Sequence, residues 1–450
     1  MRKLFGTDGI RGVAGEYPLD DRTVYAIGRA LGDHLPAGPR RVVLGLDTRE
    51  SSPGIAALLS HGLQASGVKT ESAGVLPTPG IAYLTHTQAF SAGVVISASH
   101  NPWRDNGIKV FGHDGYKLPD AVELEIEAEI FSLLNETPEG KISIEIKRGP
   151  RPLQEAYVNS LARTIPGANH LRVVVDCANG AASAIAPELF ARCGVNADFT
   201  HSAPNGRNIN ENCGALHPEI VAREVVARKA DLGICFDGDA DRALFADHTG
   251  KVVNGDAVML LLARDLQRRG ELVNNTVVAT TMSNMGLEIA LRAEGIKMLR
   301  APVGDKYVLE EMIKSGAVLG GEQSGHIILS REATTGDGLL TAIHVLTLLA
   351  AGERPLSGLV ADLKVFPQTI KNVRVREKPP LDQIPEVARA IQAAEQKLNS
   401  NGRINVRYSG TESLARVMVE AEDERTMKAL ADSIAAAIEA ALGAGAAAGH

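Results

Sequence analysis

Residues 91–102 read SAGVVISASHNP, an apolar and β-branched run that ends in polar residues. The same pattern occurs in three other stretches: RRVVLGLDTRESSP (40–53), LRVVVDCANGAA (171–182) and ADLGICFDGDADR (230–242). Each run is too short and too β-branched for a helix, and it predicts a strand buried on both faces. The sequence therefore predicts an α/β fold with mostly parallel sheets covered by helices. Polar residues at the ends of such strands mark candidate ligand sites.

The chain is too long for a single hydrophobic core, and its sequence pattern changes at three turn-rich segments, which we call seams. It has 450 residues, and the seams lie at 146–154, 247–256 and 365–380. Beyond the last seam, two amphipathic helical patterns alternate with short strand patterns. We therefore predict three α/β domains followed by a small α+β domain, with boundaries at 1–150, 151–250, 251–366 and 367–450.

The overall composition argues against nucleic acid and membrane as partners. The formal net charge is −7, and aromatic residues make up only 4% of the chain. The longest apolar run, GLLTAIHVLTLLAAG (338–352), is too short to span a bilayer and predicts a buried helix. The N-terminal segment lacks the pattern of a signal peptide, so we expect a cytoplasmic protein.

The cysteines show no spacing typical of a metal site. Cys177, Cys193, Cys213 and Cys235 include no Cys-x-x-Cys pair, so the sequence gives little support for bound zinc. In a reducing cytosol we expect four buried, reduced thiols.

The strongest metal signal follows the last of the four predicted strands. Three aspartates alternate there: Asp237, Asp239 and Asp241. Their carboxylates can converge on a hard cation such as Mg²⁺, which would indicate phosphoryl chemistry. An EF-hand does not fit, because its glycine and glutamate positions would be Arg242 and His248. A solvated acidic turn is the alternative interpretation.

A second polar loop, within NVRYSGTESLAR, is predicted to bind an anion. Gly410 permits close approach of the backbone, and backbone N–H groups with the hydroxyls of Ser409 and Thr411 can surround a phosphate. Arg407 and Arg416 flank the loop and can bind the same phosphate bidentately. Taken alone, Ser-Gly-Thr is a weak signal and is usually a plain turn.

Two glycine-flanked loops carry further polar candidates. GGEQSGH contains Glu322, Ser324 and His326, a set that suits sugar hydroxyls because a carboxylate accepts hydrogen bonds and serine or histidine can donate them. FGTDGIRG contains Arg11, which could bind an anion. A polar turn is the alternative for both loops.

The surroundings of Ser99 distinguish a hydrolase from a phosphoserine enzyme. A hydrolase serine normally lies in Gly-x-Ser-x-Gly, but the residues two positions away are Ser97 and Asn101. His100 is adjacent, and neighbouring side chains in an extended or turn segment tend to diverge. Phosphoryl transfer needs a hydroxyl, a divalent cation and an anion site, all of which the chain offers. We therefore favour a phosphoserine, with Lys109 either paired to the phosphate or simply facing solvent.

Six motifs, in this order, resemble the α-D-phosphohexomutases: FGTDGIRG, SASHNPWRDNGIKVF, DGDADR, GEQSGH, TTGDGL and RYSGTES. The resemblance spans almost the whole chain. It implies four domains around a central cleft, of which three are related α/β domains with mixed sheets and the last is a mobile α+β domain. It also implies sugar phosphates as partners and leaves open the formation of a homodimer.

The resemblance also implies roles for the candidate residues. Ser99 would carry the phosphoryl group, and the Mg²⁺ ligands would be the Ser99 phosphate with Asp237, Asp239 and Asp241. The implied catalytic set is Ser99, Lys109, Arg11 and His326. The implied substrate-binding set is Glu322, Ser324, Arg407, Ser409, Gly410, Thr411 and Arg416.

Within that family the sequence is most similar to the enzymes of glucosamine phosphates. The implied reaction interconverts glucosamine 6-phosphate and glucosamine 1-phosphate through a 1,6-bisphosphate, an intramolecular phosphotransfer that supplies UDP-N-acetylglucosamine synthesis. Gln323 favours the amino sugar, since an amide is a suitable neighbour for an ammonium group; a side chain that points away from the ligand is the alternative. Glucose and mannose phosphates are the alternative substrates. Asp305 and Lys306 are expected at an exposed helix start.

Overall fold

The computed structural model describes residues 4–36, 38, 40–136, 152–352, 354–399, 401–409 and 413–443. These residues form two compact units. The first unit extends to Met282 and includes Ile296–Ala361, and the second contains Ser283–Gly295 together with the described residues from Asp362 onward.

The first sheet of the first unit has five strands in the order β1-β5-β4-β2-β3. The strands are β1 (Ile10–Val13), β2 (Arg41–Leu46), β3 (Lys69–Val75), β4 (Ala92–Ile96) and β5 (Asp105–Gly112). The helices of this region are α1 (Asp21–Asp33), α2 (Ser52–Ala65), α3 (Thr78–Thr87) and α4 (Asp120–Glu136). β2 runs parallel to β3 and β4, whereas β5 is antiparallel to both β4 and β1.

The second sheet has the order β10-β9-β8-β6-β7. Its strands are β6 (Arg172–Asp176), β7 (Asn196–Thr200), β8 (Leu232–Phe236), β9 (Ala243–Asp247) and β10 (Val252–Val253). The accompanying helices are α5 (Pro152–Leu161), α6 (Ala186–Arg192) and α7 (Pro218–Arg228). β6 is parallel to β7 and β8, and β9 turns back antiparallel to β8.

The third sheet has the order β12-β11-β13-β14. Its strands are β11 (Thr276–Thr280), β12 (Lys297–Ala301), β13 (Leu319–Gly321) and β14 (Ile327–Leu329). The helices of this part of the chain are α8 (Gly255–Arg268), α9 (Met285–Ala293), α10 (Asp305–Ser315), α11 (Gly338–Ala351) and α12 (Leu356–Leu359). β11 is parallel to β12 and β13, and β14 is antiparallel to β13.

These three sheets share one topology. In each sheet, three parallel strands are followed by a fourth strand that returns antiparallel to the third one: β5 after β4, β9 after β8, and β14 after β13. Every residue of β4 and of β8 is buried, as the continuous apolar runs predict. The α/β class with mixed sheets is therefore confirmed, and the repeated topology matches the expectation of three related domains.

The second unit contains a three-stranded antiparallel sheet. Its strands are β15 (Gln368–Arg374), β16 (Gly402–Tyr408) and β17 (Leu414–Ala421), in the order β15-β17-β16. Helices α13 (Pro385–Leu398) and α14 (Glu424–Leu442) bury Val387, Leu398 and Ile434 against the sheet. Helix α9 also belongs to this unit, because the backbone N–H of Met285 donates to Oε1 of Glu420 at 3.2 Å. The predicted α+β character is confirmed.

Two local expectations from the sequence hold. The apolar run after residue 337 forms α11, which begins where Oδ1 of Asp337 accepts from the backbone N–H of Leu340 at 2.9 Å, and most of this helix is buried. The four cysteines are buried and free. Among the described residues, no helix combines the length and the apolar character needed to cross a bilayer.

Candidate active site

The candidate site is built on three equivalent hairpin turns of the first unit. The turn between β4 and β5 carries Ser99, the turn between β8 and β9 carries the three aspartates, and the turn between β13 and β14 carries the predicted sugar loop. Each turn contains a residue in the left-handed region: Ser99 at φ 51°, Ala240 at 54° and Gly325 at 93°. A left-handed residue lets the chain reverse within a few positions of the strand end. The shared topology therefore places three chemically different loops at corresponding positions.

The three turns contact one another directly. A Cβ atom added at Gly238 would lie 2.5 Å from the carbonyl oxygen of Ser99, so only glycine fits between the first two turns. The backbone N–H of Ala243 donates to the carbonyl of Gly325 at 3.1 Å. The structure thus brings the serine, the aspartates and the sugar loop together.

Ser99 is buried and its hydroxyl has two polar neighbours. Its Oγ donates to Oδ2 of Asp237 at 2.5 Å and lies 3.2 Å from Nδ1 of His100. The expectation that Ser99 and His100 diverge is wrong, because the left-handed backbone of Ser99 turns both side chains to the same side. The pKa of His100 is lowered to about 4 by burial and by the positive charges of Arg242 and Arg11. The imidazole is therefore neutral near pH 7, and the lowered pKa makes it a weak base.

Sequence reasoning missed the residue that holds the Ser99 turn in place. Arg49 is fully buried, and its guanidinium donates to the carbonyl oxygens of Ser99 at 3.0 Å, Asn101 at 2.9 Å and Asp105 at 2.9 Å. Asp47 neutralises it, accepting from Nε at 2.7 Å. Both residues directly follow β2. The Asp-Thr-Arg sequence at the end of this predicted strand was the signal that could have indicated them.

The three aspartates converge as predicted. One carboxylate oxygen from each of Asp237, Asp239 and Asp241 lies within 4.8 Å of the others, and all three side chains are buried. Within the described part of the chain, Oδ1 of Asp239 and Oδ1 of Asp241 are buried without a hydrogen bond. Buried carboxylate oxygens that lack donors are suited to a hard divalent cation, so this set fits Mg²⁺.

The electrostatics of the aspartates are uneven. Burial raises the pKa of Asp237 well above its usual range, and the neighbouring carboxylates Asp241 and Asp239 raise it further. Burial also opposes ionisation of Asp239, but the ammonium group of Lys109 outweighs it and holds the pKa of Asp239 below its usual range. The cluster is therefore an acidic site with one carboxylate already paired.

Lys109 lies inside this cluster, so a solvent-facing side chain is ruled out. It is 1% exposed, and its Nζ lies 2.8 Å from Asp239, 3.4 Å from Asp241 and 2.9 Å from Asp8. Burial lowers its pKa, but Asp239, Asp8 and Asp241 together hold the pKa well above the ordinary value. Lys109 is therefore a buried, permanent cation.

Asp8 is a second residue that sequence reasoning missed. Its carboxylate pairs with Arg11 and Lys109, and it accepts from Nζ of Lys117 at 2.5 Å. Burial opposes ionisation, but these cations keep the pKa of Asp8 well below its usual range. Asp8 was visible within FGTDGIRG, where only Arg11 was singled out. Arg11 lies beside the Ser99 turn, with Nη1 at 3.5 Å from Oδ1 of Asn101.

In the predicted sugar loop, hydrogen bonds hold the side chains of Glu322 and Ser324 in place. Glu322 accepts from the backbone N–H of Gly304 at 3.0 Å, and its other oxygen accepts from the hydroxyl of Ser324 at 3.4 Å. His326 is buried, and its Nε2 lies 3.9 Å from Asp241 and 3.7 Å from Asp305. His326 therefore adjoins the metal-type cluster as well as the sugar loop.

Three further expectations near this loop can be compared with the structure. Gln323 donates through Nε2 to Oδ2 of Asp256 at 3.0 Å, which fixes the orientation of its amide. The prediction of an exposed helix start at Asp305 and Lys306 is wrong. Asp305 pairs with Lys117, and Nζ of Lys306 lies 3.4 Å from Oε2 of Glu123. These ion pairs, between residues far apart in sequence, bury the start of α10.

The predicted anion-binding residues lie in the second unit. Arg407 on β16 and Arg416 on β17 are directly opposite each other in the antiparallel register, so their side chains share one face of the sheet. Ser409 follows β16, is buried, and its carbonyl accepts from Nζ of Lys378 at 2.6 Å. Gly410 and Thr411 lie outside the described residues.

Four family models match consecutive parts of the chain. They describe phosphoglucomutase/phosphomannomutase α/β/α domains I, II and III at residues 2–137, 155–250 and 254–366, and the C-terminal domain at 370–437. The chain belongs to the phosphoglucomutase/phosphomannomutase family.

Curated relatives within the phosphoglucomutase/phosphomannomutase family match along nearly the full length. The chain is 58% identical to the phosphoglucosamine mutase of Koribacter versatilis over 453 residues, covering 98% of both chains. It is 51% identical to the phosphoglucosamine mutase of Solibacter usitatus, covering 98% of this chain and 99% of the relative. These identities are high enough to confirm the resemblance stated from the six motifs.

Solved structures share the fold of this phosphoglucomutase/phosphomannomutase chain. A family protein from Burkholderia thailandensis is 24% identical, superposes with a TM-score of 0.80, and is matched over 98% of each chain. The N-acetylphosphoglucosamine mutase of Aspergillus fumigatus, in complex with GlcNAc-6P and magnesium, is 17% identical with a TM-score of 0.61, matched over 98% of this chain and 96% of that one. The predicted four-domain α/β architecture is thereby confirmed.

Proposed function

We propose that this protein is a phosphoglucosamine mutase that interconverts glucosamine 6-phosphate and glucosamine 1-phosphate through a phosphorylated Ser99. The relatives named for this activity are 58% and 51% identical over 98% of the chain, which supports the substrate. The observation that carries the chemistry is the hydrogen bond from Oγ of Ser99 to Asp237. It joins a buried hydroxyl to a cluster of carboxylates suited to a cation, as phosphoryl transfer requires.

In the first half-reaction, a sugar hydroxyl of glucosamine 6-phosphate attacks the phosphorus of phospho-Ser99. The new oxygen–phosphorus bond forms as the bond to Oγ of Ser99 breaks, the proton of the sugar hydroxyl passes to Oγ, and glucosamine 1,6-bisphosphate results. In the second half-reaction, Oγ of Ser99 attacks the phosphorus at position 6, and the bond from that phosphorus to the sugar oxygen breaks. The sugar oxygen takes up the proton that Ser99 loses, and glucosamine 1-phosphate leaves with Ser99 phosphorylated again. Rotation of the Ser99 hydroxyl away from Asp237 would direct its proton to the neutral Nδ1 of His100, which lies 3.2 Å from Oγ, so we assign His100 to accept the proton that Ser99 loses in that step.

The cationic side chains around Ser99 stabilise the transferring group. Lys109 and Arg11 both pair with Asp8 and supply fixed positive charge, and the charge of the buried Lys109 acts strongly on a developing phosphoryl charge. We propose that His326 contacts the reacting sugar hydroxyl, because this residue of the sugar loop is buried beside Asp241.

We propose Mg²⁺ as the cation, held by Asp237, Asp239 and Asp241 together with the phosphate on Ser99. When bound, the ion supplies charge that stabilises the oxygens of the transferring phosphoryl group. Within the described residues, buried oxygens of Asp239 and Asp241 accept no hydrogen bond, which supports this assignment.

Substrate recognition is proposed to use two sets of residues. Glu322 and Ser324 are hydrogen-bonded to each other and would accept and donate to the sugar hydroxyls. Arg407, Ser409, Gly410, Thr411 and Arg416 are proposed to bind the phosphate that is not being transferred. The intermediate must expose each of its phosphates to Ser99 in turn, so this anion site has to accept either end of the sugar.

The substrate and product are phosphorylated metabolites of amino-sugar synthesis, so we propose that the protein acts in the cytoplasm. A homodimer remains a prediction of the resemblance.

The second candidate function is that of a hexose phosphomutase, which the description of the family models favours. The test is a comparison of initial rates for the phosphorylated enzyme with Mg²⁺ on glucosamine 1-phosphate, glucose 1-phosphate and mannose 1-phosphate. We expect kcat/KM for the glucosamine ester to exceed the others by more than about tenfold, or roughly 1.4 kcal/mol of transition-state stabilisation. A higher value for glucose or mannose would overturn the substrate but leave the phosphoserine mechanism intact.

A further inference from the structure

A second cluster of ligand-type side chains lies in the second sheet, outside the proposed active site. Its members come from three separate segments: Asp176 at the end of β6, His201 directly after β7, and Cys213 before the turn that leads to α7. β6 and β7 are parallel, with Asp176 opposite Thr200 in the register, so their carboxyl ends bring Asp176 and His201 together.

We propose that Asp176, His201 and Cys213 form a binding site for a divalent ion of the zinc class. One oxygen, one nitrogen and one sulfur atom lie within 4.8 Å of one another. Two ligands on a tetrahedral zinc ion are about 3.3–3.8 Å apart, given bond lengths of about 2.0–2.3 Å. The 3.1 Å between Oδ2 of Asp176 and Nδ1 of His201 is close to that separation. A three-ligand site would keep a fourth position open for water.

One ligand atom has its polar contact within the cluster itself. Nδ1 of His201 is shielded from solvent and forms an ion-pair contact of 3.1 Å with Oδ2 of Asp176, at an angle that is poor for a hydrogen bond. A metal ion between the imidazole, the carboxylate and the thiol would satisfy this atom. Binding would displace the proton of the Cys213 thiol, because thiolate is the form that coordinates.

The carboxylate is already oriented for such a role. Oδ1 of Asp176 accepts from the backbone N–H of Ala178 at 2.8 Å, and Oδ2 accepts from that of Gly214 at 2.9 Å. A carboxylate offers about four lone-pair positions, so two remain for a cation. Such supporting hydrogen bonds fix the orientation of ligands in metal sites. Asp176 and Cys213 are fully buried, while the His201 side chain is 33% exposed and provides the entrance.

The donor set separates this site from the one at Ser99. Nitrogen and sulfur ligands suit zinc and its neighbours, whereas Mg²⁺ prefers oxygen alone. The sequence carried no zinc motif because the three ligands are spread over 38 positions of the chain, from 176 to 213. Only the fold brings them together.

A metal ion bound at Asp176, His201 and Cys213 would restrain the loop of residues 201–213, which contacts Ser99. His201 begins this loop and Cys213 ends it, so one ion would close the loop at both ends. Asn210 lies within the loop, and its side-chain amide donates to the carbonyl of Ser99 at 2.8 Å. We therefore expect bound metal to raise the midpoint of thermal unfolding.

The test uses the full-length protein with excess Mg²⁺, so that the carboxylate cluster is saturated. Co²⁺ serves as the probe, because Zn²⁺ has a filled d shell and gives no absorption. We expect one equivalent of Co²⁺ to produce a sulfur-to-cobalt charge-transfer band in the near ultraviolet. Cys193→Ser is the matched control, since Cys193 is also buried and free but lies outside the cluster.

The proposal requires that the band be present in the wild type and in Cys193→Ser, and absent in Cys213→Ser. If Cys213→Ser does not fold, His201→Gln replaces it, because that side chain is partly exposed and the thiol stays in place; we expect its affinity for Co²⁺ to fall at least about tenfold. A folded wild type that shows no band, a band that persists in Cys213→Ser, or unchanged affinity in His201→Gln would overturn it.

Discussion

The buried guanidinium of Arg49 donates a hydrogen bond of 3.0 Å to the carbonyl oxygen of Ser99. The same group also binds the carbonyls of Asn101 and Asp105, so one side chain fixes the backbone from the left-handed serine onward to Asp105. A fully buried side chain from a distant part of the sequence therefore helps to fix the position of Oγ of Ser99.

Arg49→Lys should lower activity more than stability alone would explain. Lysine retains the charge opposite Asp47 but cannot reach several carbonyls with a planar group, and misplacing a reacting atom by about 1 Å costs on the order of 100-fold in rate. The measurement is kcat at a temperature where circular dichroism shows the variant folded. Arg207→Lys is the control, because Arg207 forms an exposed pair with Glu50. A kcat within about twofold of the wild type would contradict the positioning role.

Ser99→Ala should abolish turnover while leaving the fold intact. The substitution removes only the hydroxyl that donates to Asp237, and alanine tolerates the surrounding space. Mass spectrometry should detect no phosphorylated protein after incubation with a sugar 1,6-bisphosphate, and activity should fall by at least about 1,000-fold. Substantial residual mutase activity would refute the phosphoserine mechanism.

His100→Gln should lower kcat by about 100-fold, the lower end of what a general base contributes. The neutral imidazole is placed to take the proton from Ser99, and glutamine can form a hydrogen bond but cannot accept that proton. The measurement is single-turnover rephosphorylation of Ser99 by the bisphosphate. His86→Gln, on the last turn of α3, provides the control. A normal rephosphorylation rate in His100→Gln would assign proton transfer to another group.

Asp8→Asn should weaken catalysis by releasing three cations at once. Without the carboxylate, Lys109, Lys117 and Arg11 repel one another in a buried region, and coupling between such neighbours is typically about 0.5–3 kcal/mol. A double-mutant cycle with Lys117→Met measures the coupling in kcat/KM. Asp33→Asn removes an exposed pair with Arg29 and should have no effect. Additive effects of Asp8→Asn and Lys117→Met would disprove the network.

The dependence of stability on pH should contain a contribution from Asp337. Burial raises the pKa of this carboxyl to about 6, although it accepts hydrogen bonds from Leu340 and Tyr157. The folded state therefore holds a proton that the unfolded chain releases near pH 4, so this contribution to stability is present below about pH 4 and is lost as the pH rises to about 6. The shift of about two units corresponds to roughly 3 kcal/mol.

The measurement compares the midpoint of thermal unfolding of the wild type and Asp337→Asn from pH 4 to pH 7. The difference, wild type minus variant, should decrease up to about pH 6 and then stay constant, because asparagine does not titrate. A difference that does not change with pH would show that Asp337 titrates normally in the fold.

Much of the site could be predicted from the sequence because its residues directly follow strands. Alternating aspartates after a buried strand, and a serine after another, are local patterns, and the fold brings them together as expected. Arg49 and Asp8 were not predicted, since their roles depend on partners that lie far away in the chain. A buried arginine and an exposed one look the same in a sequence.

The approach of His100 to Ser99 could not be predicted for a different reason. Side chains of neighbouring residues diverge in extended backbone, and nothing in the letters signals that Ser99 has a positive φ. The same applies to the ion pairs of Asp305 and Lys306, which depend on how α10 meets an earlier part of the chain.

The threefold recurrence of the hairpin turn makes the proposed site modular. Carrying the phosphoryl group, holding the cation and recognising the sugar are each assigned to a separate turn that grows from the same kind of strand pair. A lineage that duplicated this unit could diversify one turn while the other two preserved the chemistry. New sugar preferences could then arise through substitutions in the turn between β13 and β14 that leave His326 in place, with the other two turns unchanged.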